Sequence, residues 1–432
     1  MKSLSEWLAW QESLHPRTID LGLDRVRRVA QALGVTRFAA PVVVVGGTNG
    51  KGSCVALLEA IWRAAGHRVG AFTSPHLIDY RERIRIDGRE IGEAELVRAF
   101  ERIDAARGAA TLTFFEFNTL AALLAFSEAD LDAVVLEVGL GGRLDAVNVV
   151  DPDVSLLVSV ALDHCEWLGD TLDAIGREKA GIFRAGRPAV IGSLPIPQSV
   201  RDSAREIGAR LVMPGADFER SSRGKDSWSW RGAQISYDGL PPPALLGRHQ
   251  YDNAAAVLAV VESLQSRLPV PRAAIEAGLR NVELPGRFQR VGEDVEWVLD
   301  VAHNPDAARR LGNTLADRPA RGRTTAIVGI LRDKDAPAMV QTLEDALRIG
   351  GGKPVDEWIA VDLPGPRGGS ASELRDTVGR QSDPAWSTAA GVVAACERAA
   401  GRARAGDRVL VFGSFHTVGP ALAWLRAANP SA

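Results

Sequence analysis

At 432 residues, with 46% apolar and 24% charged residues, the chain has the composition of a globular protein and the length for two domains. A formal net charge of -3 excludes a broad electrostatic footprint for nucleic acid or an anionic membrane surface, but leaves room for local basic pockets. Three cysteines (Cys54, Cys165, Cys396) with no CxxC or finger spacing exclude a disulfide framework and fit a reducing compartment.

The N-terminal stretch MKSLSEWLAWQESLHPR has no continuous apolar core and no small-residue cleavage site, so it reads as no signal peptide. No apolar run approaches the ~18 residues of a membrane span, and the expected location is the cytoplasm. Strands are expected at 41–47, 67–74, 131–139, 154–161 and 187–193, each followed by a helical pattern. Continuous apolar strands with intervening helices indicate a parallel sheet covered on both faces. Cys54, Leu57, Leu58, Ile61, Trp62 and Ala65 form a helical stripe closed by Gly66. Residues 214–243 are polar, Gly/Pro-rich and weakly alternating, as in small strands or an exposed excursion. A helix is expected at about 252–266, and a second strand series at 295–302, 324–330, 356–363 and 407–414. The reading is an α/β protein with a parallel-rich sheet in a nucleotide-loop domain at 1–288 and a smaller α/β domain at 289–432.

The stretch VVVVGGTNGKGS, residues 42–53, departs from the common phosphate-loop pattern G-x-x-x-x-G-K-[ST]. Gly52 separates Lys51 from Ser53, and Val45 stands where the first glycine belongs. It still offers glycines, a lysine for phosphate charge and a hydroxyl for a cation, between a strand and a helix N-terminus. The bland reading is a tight turn.

Other polar residues fall at strand ends. Glu137 closes a buried strand, where a carboxylate is costly unless it meets a metal, a donor or water. Ser74 ends the second strand; Asp163 and His164 end the fourth. The carboxyl ends of parallel strands are where open α/β sheets bind ligands. Oxygen ligands with one imidazole suit magnesium or manganese better than zinc. Lys179 follows Glu178, and a surface ion pair is its ordinary reading. Phe114, Phe115 and Phe117 surround Glu116, a pattern explained equally by core packing and by a site for a flat, amino-bearing heterocycle. Arg287, Asp300 and His303 flank the domain boundary, with an interdomain ion pair as the plain alternative. Gly413, Ser414 and His416 end the last strand.

Taken in order, GTNGKGS, TSPHL, FFEF, EVGLGGRLDAVN, ALDHCEWLG, REKAGI, LPGRFQ, DVAHNP and GSFHTVG resemble the bacterial dihydrofolate synthase/folylpolyglutamate synthase family of the Mur ligase superfamily. The resemblance runs to about residue 420. It implies a Mur ligase-type ATP-binding domain, a C-terminal α/β domain that binds glutamate, and joining of L-glutamate to dihydropteroate and to reduced folates. It also implies roles by position. Thr48, Asn49, Gly50, Lys51 and Gly52 would cradle ATP, with Ser53 near magnesium. Ser74, Glu137 and His164 would hold magnesium, with two ions around ATP and manganese as a substitute. Asn253, Arg287 and Asp300 would complete the ATP site across the interface. Thr113, Phe114, Phe115, Glu116, Leu144, Asp145 and Ala146 would line the pterin site. Lys51, His164 and Lys179 would serve catalysis, Lys179 as an N-carboxylated side chain, and His303 and Ser414 would form a candidate second-domain site. The expected partners are small molecules acting on a monomer, with no nucleic acid and no membrane.

Three rivals remain at this stage. A mono-functional folylpolyglutamate synthase shares most motifs, although FFEF leans towards the bifunctional form. A peptidoglycan ligase would need a third domain ahead of the loop, and the loop begins near residue 46. A nucleotide-dependent switch would hydrolyse ATP slowly without acceptor or glutamate.

Overall fold

Valines 42–45 are buried and pair on both sides, with residues 134–137 and 154–156, so they form a central strand rather than an edge. A computed structural model of the chain describes residues 2–222, 227–379 and 382–428. The chain divides into two units: Met1–His76, Tyr80–Ala244 and Gln250–Val282 make the first; Leu77–Asp79, Leu245–His249 and Glu283–Ala432 make the second.

The elements start with α1 (Leu4–Leu14), α2 (Asp24–Leu33), β1 (Val42–Gly46), α3 (Lys51–Ala64) and β2 (Val69–Phe72). A 3-10 turn (Tyr80–Arg83) leads to β3 (Ile84–Ile86), β4 (Arg89–Glu90), α4 (Glu93–Arg107), α5 (Phe114–Glu128) and β5 (Ala133–Glu137). A second 3-10 turn (Ala146–Val149) precedes β6 (Val154–Leu157), α6 (Cys165–Leu168), α7 (Leu172–Ala180), β7 (Pro188–Ile191), α8 (Gln198–Ile207) and β8 (Arg210–Val212). The sheet order is β4-β3-β2-β5-β1-β6-β7-β8, parallel from β2 to β8 and antiparallel at β3 and β4. The five strands expected from sequence are its interior; β3, β4 and β8 extend its edges.

The polar segment 214–243 contributes β9 (Glu219–Ser222), β10 (Trp228–Arg231) and β11 (Ser236–Leu240), a three-stranded antiparallel sheet; its residues 223–226 lie outside the described residues. It is less of an excursion than its polarity suggests. Trp228 and Trp230 are buried, and their indole N–H groups donate to the carbonyls of Pro241 and Ala255. The chain then forms α9 (Arg248–Leu264) and α10 (Arg272–Asn281). Helix α3 is buried through most of its length, including Leu57, Leu58, Ile61 and Trp62, because it lies inside the fold instead of on its surface.

The second unit holds β12 (Gln289–Val291), β13 (Glu296–Asp300), α11 (Pro305–Ala316), β14 (Thr324–Val328), α12 (Ala336–Ile349) and β15 (Glu357–Val361). It continues with α13 (Ala371–Thr377), β16 (Trp386–Ala389), α14 (Val392–Arg402), β17 (Arg408–Phe412) and α15 (Phe415–Ala428). Its sheet runs β12-β13-β17-β14-β15-β16, parallel except for β12. Glu283–Phe288 group with this unit, ahead of the boundary expected at 288, because Phe288 is buried in its core and donates its amide to Asp300 Oδ2 (2.9 Å). Two apolar clusters, one around Leu343 and one around Val411, cover the faces of the sheet. Among the described residues no helix is long and apolar enough to cross a membrane.

Candidate active site

Strands β2, β5, β1 and β6 are consecutive and parallel, so their carboxyl ends share one edge. That edge receives, in order, Ser74, Glu137, the glycine-rich loop and His164. The loop leaves β1 at Gly46 and enters α3 at Lys51, with Gly50 as the helix N-cap at φ 90°. Two constraints require glycine at this position. The backbone is left-handed, and a Cβ would lie 2.9 Å from Val158 Cγ1 and 3.1 Å from Asn253 Oδ1.

The first half of the loop is tied to the segment after β6. Thr48 N donates to Ser159 O (2.8 Å), Thr48 Oγ1 to Ala161 O (3.1 Å), and Asn49 N to Ser159 Oγ (3.0 Å). The first turn of α3 leaves the amides of Lys51, Gly52 and Ser53 without a carbonyl one turn earlier in the helix, the arrangement that suits an anion. Lys51 Nζ arches back over the loop and donates to the carbonyls of Gly47 (3.1 Å) and Thr48 (3.3 Å). A polar relay follows behind it, from Asn253 Nδ2 to Gln250 Oε1 (2.9 Å) and from Gln250 Nε2 to Ser53 Oγ (3.4 Å). Sequence reading had not singled out Gln250, which is buried on the same helix face as Asn253.

Glu137 is only 3% exposed and accepts from Ser74 N (3.2 Å), so the structure joins these two residues directly. His164 sits at φ 53°, a left-handed conformation unusual outside glycine. Its backbone N–H donates to Asp163 Oδ1 (2.9 Å), and its Nε2 lies 3.9 Å from the same oxygen. Among the described residues no group of three or more His, Cys, Asp or Glu side chains could hold a metal ion. The donor set fits a hard cation that also takes hydroxyl, water and phosphate oxygens: one buried carboxylate, serine hydroxyls and one imidazole.

Lys179 is not the partner of Glu178. Glu178 is engaged by Arg143 through its Nε (3.0 and 3.2 Å) and Nη2 (2.8 Å), while Lys179 is buried near the C-terminal end of α7. The surface-pair reading of Lys179 is therefore corrected. Neighbours in a helix point to different faces, and here one faces solvent while the other faces the core. Burial lowers the Lys179 pKa to about 7, helped by Lys51 and opposed by Asp163 and Asp145. Asp145 is itself pushed up to about 7 by burial, against hydrogen bonds from the amides of Leu140 and Val147. The loop carrying Leu144–Ala146 packs on the end of α7: a Cβ on Gly142 would lie 2.9 Å from the carbonyls of Glu178 and Lys179.

Thr113 and Glu116 form a capping box at the start of α5. Thr113 N donates to Glu116 Oε2 (2.8 Å), and Glu116 N to Thr113 Oγ1 (3.2 Å). Arg25 Nε stands 3.0 Å from both carboxylate oxygens but is aligned only with Oε2. Arg25 also binds Asp20, so the 20–25 segment is brought to Glu116. Sequence reading missed this segment, where only the charge of Asp20 and Arg25 offered a signal. Phe114 and Phe115 are half-buried, with Phe115 6.0 Å from Phe72 and Phe114 6.0 Å from Tyr80, centroid to centroid. Phe117 belongs to the core.

In the second unit, Asp300 accepts from Phe288 N and Ala302 N (2.9 Å each), and burial raises its pKa against the opposing effect of Arg287. The Arg287 guanidinium stacks over Phe415 at 5.3 Å, and His303 Nδ1 lies 2.9 Å from Val301 O. Ser414 is buried and accepts from His416 N (3.1 Å) at the start of α15.

Comparison with known proteins identifies the family. Residues 45–261 match the Mur ligase middle domain, and residues 286–415 match the Mur ligase glutamate ligase domain. The chain is 44% identical over 415 residues to the dihydrofolate synthase/folylpolyglutamate synthase of Escherichia coli K12, covering 96% of this chain and 94% of that one. The Haemophilus influenzae protein of the same description is 39% identical over 440 residues, covering 96% of each. Among solved structures, the Escherichia coli enzyme in complex with DHPP and ADP superimposes with a TM-score of 0.92 at 43% identity, covering 99% of this chain and 98% of that one. A bifunctional folylpolyglutamate synthase/dihydrofolate synthase with Mn, AMPPNP and L-glutamate bound gives 0.89 at 45% identity, covering 99% and 98%. The chain belongs to the dihydrofolate synthase/folylpolyglutamate synthase family of Mur ligases.

Proposed function

We infer that the chain is an ATP-dependent ligase that joins L-glutamate to 7,8-dihydropteroate and, in a second activity, to reduced folates. The observation that carries this reading is the sheet edge on which Ser74, Glu137, the Lys51 loop and His164 stand at the ends of four adjacent strands. A carboxylate does not acylate an amine at neutral pH, because its oxygen is a poor leaving group. Its attack on the γ-phosphorus of ATP forms an acyl phosphate and releases ADP. The glutamate amine then adds to the acyl carbon, loses a proton and expels inorganic phosphate, leaving an amide.

The first step brings an anionic acceptor against anionic phosphates. Lys51 and the first-turn amides of α3 bind those phosphates, and in the product-forming direction they stabilise charge on the bridging oxygen. A divalent cation, held by Ser74, Glu137 and His164 with Ser53 close by, supplies further neutralisation when bound. Thr113–Glu116 and Leu144–Ala146 line the acceptor site, Asn253, Arg287 and Asp300 bind ATP, and His303 and Ser414 belong to the glutamate side. Lys179 is the site of N-carboxylation: a neutral amine is needed to attack carbon dioxide, and its lowered pKa of about 7 supplies one. Free thiols at Cys54, Cys165 and Cys396 fit a cytoplasmic setting.

The test is incorporation of labelled glutamate with dihydropteroate and with tetrahydrofolate as acceptors. Both should give ATP-dependent product, and Glu116→Ala should impair dihydropteroate use more than ATP binding. Product from tetrahydrofolate alone would reduce the assignment to the mono-functional activity.

A further inference from the structure

A partly buried ion pair connects the nucleotide-loop helix to the turn that carries Ser74. Glu59 lies on α3, two turns beyond Lys51, and is 6% exposed. Arg85 lies on β3, opposite Ala71 of β2, and donates through Nε (3.0 Å) and Nη2 (2.9 Å) to Glu59 Oε2. The remaining arm, Nη1, reaches Thr73 Oγ1 (3.1 Å) and Glu82 O (3.0 Å). Thr73 N donates in turn to Arg83 O (2.9 Å), and the next residue is Ser74, whose amide binds Glu137 (3.2 Å). Hydrogen bonds from Glu59 through Arg85 to Thr73, then the peptide link to Ser74 and its amide bond to Glu137, thus connect α3 to the end of β5.

Stability alone does not account for this pair. Enclosing the Glu59 carboxylate and part of the Arg85 guanidinium costs hydration, and apolar replacements of enclosed pairs are often as stable or more so. The other oxygen of Glu59, Oε1, is buried without a hydrogen bond, which makes the local cost larger. What the pair provides is direction. The guanidinium fork has one allowed plane, so fixing Nε and Nη2 on Glu59 fixes where Nη1 meets Thr73.

We propose that Glu59 and Arg85 are positioning residues for ligation, holding the Thr73–Ser74 turn at a set distance from the Lys51 end of α3. The cation ligand Ser74 and the phosphate ligand Lys51 sit on different elements, and this strut keeps them in register. The proposal rests on the reading of Ser74 as a cation ligand.

The experiment uses Thr73→Val, Glu59→Gln and Arg85→Lys in the full chain, with Ser74→Ala as reference. Four quantities are measured: the Mn2+ concentration for half-maximal ligation, Mn2+ binding in the presence of ADP without turnover, amide exchange at Ser74 in metal-free protein, and ADP binding without metal. Thr73→Val removes the acceptor at the far end of the strut, together with that hydroxyl's own long donation to Glu82 O (3.5 Å). It should raise the half-saturating Mn2+ and the Ser74 exchange rate about tenfold, the size of one hydrogen bond to a charged group. Metal-free ADP binding should stay within about twofold, with Glu59→Gln acting in the same direction and Arg85→Lys retaining part of the function. Thr73→Val and Glu59→Gln that leave Ser74 exchange unchanged would overturn the proposal. So would losses that scale equally across all readouts, including metal-free ADP binding, because those mark general destabilisation. If Ser74→Ala leaves Mn2+ binding unchanged, the reading of Ser74 fails, and the exchange data still judge the strut.

Discussion

Replacing Lys179 with methionine should stabilise the protein and abolish its activity. The buried ammonium has a pKa of about 7 in place of the ordinary 10.5, with burial as the main cause and Lys51 the next. At ~1.4 kcal/mol per tenfold change in proton affinity, that depression corresponds to a folding penalty on the order of 4 kcal/mol at pH 7. The penalty exists because the unfolded chain binds the proton more tightly than the folded one. It is fully present below about pH 7 and disappears as pH rises towards 10.5, leaving about 1 kcal/mol at pH 10. Methionine has a similar length and no charge to bury, so Lys179→Met should exceed the parent by that margin. Urea titrations of both proteins in carbon dioxide-free buffer at pH 7 and pH 10 measure the gap directly. Ligation by the variant should fall to background, since no carbamate can form on a thioether. A gap that is absent at pH 7, or equal at the two pH values, would refute the argument that a desolvated amine occupies this site. Full ligation activity in Lys179→Met would refute its chemical role.

Lys51→Ala should lower turnover by about two to three orders of magnitude, as for loss of one transition-state donor, and rates within a few fold of the parent would make the loop a plain turn. Gly50→Ala should lower both the melting temperature and ATP affinity, because the backbone is left-handed and Val158 leaves no room; calorimetry and nucleotide titration test it. Asp300→Ala strips two buried amides of their acceptor and removes the carboxylate beside Arg287, so ATP should bind at least about tenfold more weakly. Unchanged affinity in a folded Asp300→Ala protein would remove Asp300 from the ATP-binding set. Alanine at position 179 should regain part of its activity with short-chain carboxylic acids, and no rescue at any concentration would count against a carboxylated lysine.

The interior strands were legible because a strand covered on both faces is written as an unbroken β-branched run. Val42–Val45 in β1, and Val134 and Val135 in β5, carry that signal. The edge strands β4, β8, β12 and β16, with β3 next to the edge, are two to four residues long and mostly not buried, so nothing in their composition separates them from loops. Strand-end carboxylates such as Glu137 were visible because their burial cost demands a purpose. The orientation of a helical residue was not. Lys179 and Glu178 are adjacent in the chain, and only tertiary packing decides which of them meets Arg143 and which is enclosed. The connection from the Asp20–Arg25 segment spans 91 positions between Arg25 and Glu116, and no local pattern reports a pairing of that range.

The short stretch Leu77–Asp79 belongs to the second unit although it follows Ser74 by only a few residues. Leu77 Cδ1 would lie 3.2 Å from a Cβ on Gly286, and its carbonyl oxygen 2.1 Å from one on Gly419, so it is packed by residues from the other end of the chain. During synthesis at roughly 5–20 residues per second, those partners emerge tens of seconds after Leu77 itself. Until then Leu77 is an apolar side chain on a nascent segment without the surroundings it has when folded. A ribosome that stops short of α15 would therefore release a chain whose Ser74 turn has no settled continuation, however complete its first sheet is. The last residues that pack against Leu77 are thus also among the last to be made.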